Sequence, residues 1–449
     1  MMKRIILLCT LIAALVACSD NESFTTSSSA RLTFTVDTVK LDTIFSGVGS
    51  STYSFWAHNL GEDGVRLTSV RLQRGNQTGF RVNVDGSYLD NQLGSVVTDL
   101  EVRGGDSIRV FVELTAPATG AIEPQRVADN LLFTLESGVT QQVPLLGFTW
   151  DAIDLRDLVV SRDTTLSSVK PLVVYGGIKV DSAVVLTIRD ATLYFHGKAG
   201  IDVYGTLVTE NVLLRGDRLD HMFDYLPYDR VSGQWRGLHF FSSSGNNMMG
   251  TTEVRNAEDG VVLDSAKVDP QWQRLYMKNC IVHNCKGYGV KALSAYIGME
   301  NCQITNTLND CVAAYGGAVL MQNCTLAQFY PFSANRGMAL RFTNLVGKYP
   351  YPLETLRCVN SIVTGYADDV VMGEHKDSTV TYNYYFENTL LRTPEVKDST
   401  RFVNVMWELP SDSTKGTRHF VTIDEKNLIY DFHLDSLSVA KGKGCYPEP

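Results

Sequence analysis

From Arg31 to about Trp150, apolar and polar residues alternate in short runs, among them "RLTFTVD", "STYSFWAHN", "VRLTSVRL", "FRVNVDG", "SIRVFVEL" and "LLFTLES". Turn-forming stretches such as "GED", "RGGD" and "ESG" stand between or beside them. A period of two sends successive side chains to opposite faces of a strand, so runs at this density predict a β-sandwich over residues 31–150. From about Asp151 the pattern changes. Strand triplets recur every 21 to 23 residues, most plainly in "MKNCIVHN", "MENCQITN" and "MQNCTLAQ", which begin at Met277, Met299 and Met321.

Aligning these copies on their asparagine gives an anchor column of Asn279, Asn301, Asn323 and Asn360. Two positions earlier stand Met277, Met299, Met321 and Cys358; one later stand Cys280, Cys302, Cys324 and Ser361; three later stand Val282, Ile304, Leu326 and Val363. Looser copies place Asp190, Asn211, Asn256 and Asn388 at the anchor. A fixed period of this length means stacked coils. Equivalent residues then lie about 4.8 Å apart, apolar columns fill the interior, and an Asn at a bend bonds its amide to the coils on either side. The expected fold is all-β: a sandwich followed by a parallel solenoid over residues 151–449.

The repeat also accounts for most of the nine cysteines, six of which fall between Cys280 and Cys358. Side chains in one column sit about 4.8 Å apart, whereas a disulfide wants its Cβ atoms about 3.8 Å apart with converging bonds. Cys280, Cys302 and Cys324 are therefore expected to form an apolar stack.

Three stretches resemble known families. "MMKRIILLCTLIAALVACSDNES" has a basic start and an apolar run too short to span a membrane. Its "LVAC" ending resembles a bacterial lipobox, which implies a signal peptide over 1–17, lipidation of Cys18 and a flexible tether over 18–30. The "SDNES" behind Cys18 resembles the export signal of Bacteroidetes lipoproteins, which implies an outer-membrane, surface-exposed location. The strand order from "DTIFSG" through "HNLGEDGVRLTSVRL" and "GDSIRVFVELTAP" to "VPLLGF" resembles immunoglobulin-like domains of the ASPM/SPD-2/hydin group. The ladder, with the closing "YDFHLDSLSVAKGKG", resembles the right-handed parallel β-helix of the pectate-lyase-like superfamily, whose enzymes act on polysaccharide.

Charge narrows the function. With 49 carboxylates against 40 Lys and Arg and no dense basic run, the chain is not built to bind nucleic acid. The motifs of the β-helix enzymes are missing. The outward columns carry no run of carboxylates, and Lys278 with Glu300 reads as a cross-coil charge pair. Asp368 and Asp369 stand without the partner motifs of a polygalacturonase. His283 and Cys285 could share an outward face as soft ligands but lack a third, so no metal centre is expected.

The richest stretch is an insertion, "GDRLDHMFDYLPYDRVSGQWRGLHF", residues 216–240. It gathers Asp220, His221, Asp224, Tyr225, Tyr228, Asp229, Arg230, Trp235 and Arg236. Aromatic faces stack on sugar rings, and carboxylates and Arg bind hydroxyl groups, so these nine residues are the expected ligand-binding set. No cofactor is expected, calcium being the one cation such carboxylates would accept. A second insertion, residues 330–354, adds Tyr330, Phe332, Tyr349 and Tyr351 near Arg336 and is expected to emerge as a loop. The sequence reading is a monomeric lipid-anchored surface protein that binds or displays, its ligand a glycan or surface partner. Its rival is a polysaccharide lyase or glycoside hydrolase acting on an acidic polysaccharide.

Overall fold

The computed structural model describes residues 23–89, 92, 94–221, 227–269, 272–409 and 416–448. Cys18, the leader and the first part of the tether lie outside the described residues, as do Asp224 and Tyr225 of the insertion. The chain divides into two compact units, Met1–Trp150 and Asp151–Pro449.

In the first unit, one sheet runs in the order Thr33–Phe34, Tyr53–His58, Ser107–Leu114, Phe80–Val84, Ser87–Tyr88. The other runs Val39–Phe45, Thr140–Trp150, Gln125–Leu135, Val65–Leu72, with Val96–Val97 and Leu100–Val102 both paired to the last. Alternation places Ile108, Val110, Val112 and Leu114 of a single strand inside. They share one core with Leu67, Phe133 and Leu145 of the facing sheet, which makes the unit a sandwich.

In the second unit, 25 strands form one wound sheet, with parallel pairing from coil to coil. Each full coil contributes to three faces. Face A holds Leu275–Lys278, Tyr296–Glu300 and Gly317–Gln322; face B holds Ile281–Cys285, Gln303–Thr307 and Thr325–Gln328; face C holds Val290–Leu293, Val312–Tyr315 and Leu340–Thr343. The chain turns from A to B at one residue in the left-handed region: Asn279, Asn301, Asn323 and Asn360 have φ of 54°, 53°, 53° and 49°. Asparagine tolerates that conformation better than other residues with a Cβ. Its amide also stitches coils together, Asn301 donating to Asn279 Oδ1 at 3.2 Å and Asn388 to Asn360 Oδ1 at 2.5 Å.

Two ladders exist where one was expected. Gly250 pairs with Lys278, so Thr251 (φ 41°), and not Asn256, stands above Asn279. Asn256 belongs to a second column with Asn284 and Asn306 at the far edge of face B (φ 59°, 59° and 56°), where Asn284 donates to Asn256 Oδ1 at 2.8 Å. The same left-handed bend at Asn284 turns Cys285 inward, so it does not share an outward face with His283.

Inside, Met249, Met277, Met299, Met321, Cys358 and Phe386 are stacked in register on face A. Cys280, Cys302 and Cys324 are free and fully buried beside them. Each Sγ donates to a main-chain oxygen one coil back, that of Met249, Met277 or Met299. Burial, with the thiols on either side, pushes the Cys302 thiol well up, which leaves it unreactive. Lys278 and Glu300 form the expected pair, Nζ to Oε1 at 2.9 Å.

The second insertion is not one loop. Leu340–Thr343 within it is the face-C strand of its coil, paired with Val312–Tyr315. Tyr330 is buried against Ser232, while Tyr349 and Tyr351 belong to a separate excursion after that strand.

A C-terminal hairpin, Phe420–Asp424 with Ile429–Leu434, lies on the outside of face B. Phe420, Phe432 and Leu434 form a small core with Ala327, Ile362 and Leu390 of that face. The outward column His283, Thr305, Ala327, Thr364 is consequently covered from Thr305 onward. A buried cluster fastens the cover. Arg392 Nη1 and His419 Nε2 lie 3.1 and 3.4 Å from Glu408 Oε1, and Thr364 Oγ1 donates to Glu408 Oε2 at 2.7 Å.

Candidate functional site

The hairpin leaves the earlier coils of face B uncovered. There Val212, Leu214 and Val254 point into the core, and alternation turns Arg215, Glu253 and Arg255 outward. In the next coils Ile281, His283 and Gln303 continue this floor, Arg255 being in register with His283. The first insertion forms one wall through the turn Tyr228–Arg230, and the hairpin forms the other through Tyr430, Asp431 and His433. The two walls touch: Arg230 Nη1 donates to the main-chain oxygen of Asn427 at 2.7 Å. The enclosed groove measures about 390 Å³. That is the scale of a small-ligand site.

Charges in the groove are unevenly spent. Glu253 is hydrogen-bonded to Arg255, Asp431 lies 2.6 Å from His433, and Asp229 lies 3.0 Å from His221 and 3.7 Å from Arg230. Among the described residues, Arg215 donates only to main-chain oxygens, those of Gly216, Arg218 and Asp229, at 3.2, 2.9 and 3.2 Å. No carboxylate among them hydrogen-bonds it, and Asp229 and Glu253 act on its charge only from farther off. Burial pulls the Arg215 pKa down, yet a guanidinium remains protonated at any working pH.

His283 sits at the centre of the floor. Burial first, and the Arg255 guanidinium second, press its pKa down to about 3, and Nδ1 lies 2.9 Å from Thr305 Oγ1. A neutral imidazole there adds no charge of its own. So weak a base is poorly matched to general-base chemistry near neutral pH. Burial acts to raise Asp431, but hydrogen bonds from His433 outweigh it and hold the carboxyl low. That is the opposite of what a general acid needs. The rings of Tyr430 and Phe432 stand edge-on to His283, at 5.4 and 6.2 Å, and give the wall an apolar surface. Among the described residues, no group of three or more His, Cys, Asp or Glu side chains is disposed to hold a metal ion.

Of the expected ligand-binding set, Asp229 and Arg230 line this groove. Trp235 does not: it is 1% exposed, stacked 4.2 Å from Phe195 in the solenoid core, with Nε1 donating to the Arg255 oxygen. Its place on the coil is inward, bridged to Ala257 of the next coil. Arg236 clamps Asp202 on the neighbouring coil with two bonds of 2.7 Å. Asp220 is engaged by Arg218, whose guanidinium also covers the Tyr228 ring at 4.4 Å. His221 serves Asp229. The insertion is thus largely a self-braced wall.

Sequence reasoning missed Arg215, Glu253, Arg255 and the hairpin residues. The signal existed: correctly registered, Arg255, His283 and Thr305 form one outward column. Misplacing Asn256 at the first ladder shifted that coil and hid it.

Comparison with curated proteins finds no match. The family model of the right handed beta helix region matches residues 161–326, and the second unit is a right-handed parallel β-helix. Solved structures give distant likenesses. A family 123 glycoside hydrolase from Clostridium perfringens is 6% identical over 27% of this chain and 26% of that one, with a TM-score of 0.18. The catalytic unit of a thermostable GH87 alpha-1,3-glucanase from Streptomyces thermodiastaticus is 10% identical over 79% and 78%, with a TM-score of 0.31. The catalytic domain of a GH87 alpha-1,3-glucanase in complex with nigerose is 8% identical over 87% and 96%, with a TM-score of 0.20.

Proposed function

We propose that this protein binds an acidic carbohydrate in the face-B groove without cleaving it, and does so as a lipoprotein anchored through Cys18 to the outer membrane and exposed at the cell surface. The observation that carries the reading is Arg215, a partly buried guanidinium in the groove lining that hydrogen-bonds no carboxylate among the described residues, in one groove with Arg255 and Arg230. Guanidinium groups take carboxylate or sulfate through paired hydrogen bonds, and Tyr430 offers a ring face for the apolar side of a sugar. The low pKa of His283 and the engaged carboxylates favour binding over catalysis. The anchor rests on the basic, apolar and Cys-terminated leader.

An array of acidic and neutral polysaccharides, followed by long incubation of each hit and assay for new unsaturated or reducing ends, tests the reading. Retention on uronate or sulfate glycans without product supports it. Product formation would transfer it to a lyase or glycoside hydrolase, and retention on none would shift the ligand to a surface protein.

A further inference from the structure

A second concavity lies on face C, where the sequence marked nothing. Its volume is about 330 Å³, and Tyr288, Asp310, Tyr315, Arg341, Glu374 and Lys376 line it. Asp310 and Tyr288 come from the B-to-C turns, and the others come from or follow successive face-C strands. The charges alternate along one chain of contacts. Arg341 Nε donates to Asp310 Oδ2 at 2.7 Å, Arg341 Nη1 lies 3.5 Å from Glu374 Oε2, and Lys376 Nζ lies 2.9 Å from Glu374 Oε1. The Asp310 carboxylate is 95% buried within this wall and also receives the Met338 N–H at 2.8 Å. The hydroxyls of Tyr288 and Tyr315 meet at 3.3 Å.

We propose that this cleft is a binding site for an uncharged sugar, held through neighbouring hydroxyl groups of a pyranose ring. The two carboxylates and two cations cancel, so nothing draws in an ion, and an anion would meet the Glu374 carboxylate. A cation would have to displace Arg341 from both acids. A sugar hydroxyl both donates and accepts, which suits a floor where acceptor and donor alternate. Arg341 Nη2 has no protein partner among the described residues and supplies a donor. Glu374, which is partly exposed, retains lone pairs to receive hydroxyl protons, and the Tyr315 ring offers an apolar side to the C–H face of the sugar. The connection between faces B and C carries Pro331 in the wall of the first groove and Gly337 in the wall of this one. The inference does not depend on the acidic-glycan reading, because the chemistry and the residues differ.

The test titrates the full chain with uncharged hexaoses of glucose, mannose and xylose, followed by calorimetry and saturation-transfer NMR. At least one hexaose should bind, unaffected by about 0.5 M NaCl because no net charge is involved. Glu374→Gln should weaken it by about tenfold, the loss of a charge-assisted bond. Tyr315→Phe should weaken it less, and Arg255→Gln in the first groove should leave it unchanged. If Glu374→Gln does not fold, Glu374→Asp, which keeps the charge but draws the carboxylate back, takes its place. Failure of every hexaose to bind overturns the proposal, as does binding that persists undiminished in the Glu374 variant and in Tyr315→Phe.

Discussion

Arg255 and His283 stand side by side in register on adjacent coils of face B, and the guanidinium helps burial keep the imidazole neutral. This has a consequence for stability against pH. The His283 pKa is lowered from 6.5 to about 3, so between those values the unfolded chain binds a proton that the folded chain refuses. Stability is fully present above pH 6.5 and falls as pH drops through the window, by up to about 1.4 kcal/mol per pH unit for one such group. Urea titrations from pH 7 to 4 should show a shallower acid decline for His283→Gln than for the parent. Parallel curves would contradict the buried, neutral assignment.

Trp235 is a core residue and should behave as one. Trp235→Ala opens a cavity against Phe195 and should cost about 3–5 kcal/mol. Denaturant unfolding measures it. A neutral change in stability would place the ring outside the core after all.

The asparagine ladder should be worth more for its backbone than for any single side chain. Asn301→Ala forces alanine into φ 53° and removes the bond to Asn279, at a cost of about 1–3 kcal/mol. Asn301→Gly keeps the conformation and should lose less. Ordered midpoints of parent, Gly and Ala would bear this out, and Gly at or below Ala would refute it.

Glu408 joins Arg392 and His419 where none of the three meets solvent appreciably. Removing it leaves the buried Arg392 guanidinium, among the described residues, only the exposed Asp368 carboxylate, 3.3 Å from Nη2, and Glu408→Ala should cost roughly 3 kcal/mol. Burial works to raise the Glu408 pKa, but the adjacent His419 and the bond from Thr364 hold it below 4.5, so the contribution is present above that pH and lost as pH falls below it. Hydrogen exchange in Glu408→Ala should rise first in the hairpin 420–434. Uniform exchange across the solenoid would argue against a local fastening.

Much of the fold was legible because a solenoid writes its geometry as a period. Met277, Met299 and Met321 share a column in sequence and in register alike. The site was less legible for two physical reasons. A coil that carries an insertion breaks the count, which put Asn256 in the wrong ladder and concealed Arg255 above His283. The opposite wall comes from a hairpin whose docking on face B depends on long-range apolar contacts of Phe420, Phe432 and Leu434, which leave no periodic trace. Trp235 failed for a related reason: composition marked it as a sugar-stacking ring, and only the register shows that it points inward.

The most direct measurement is the affinity of the parent and of an Arg230→Gln, Arg255→Gln double variant for an acidic oligosaccharide such as a hexagalacturonate, at low and at raised salt. Binding should weaken with salt and fall at least about tenfold in the double variant, with no shortened product. Equal affinity in parent and variant, or a chain cut during the titration, would contradict that expectation.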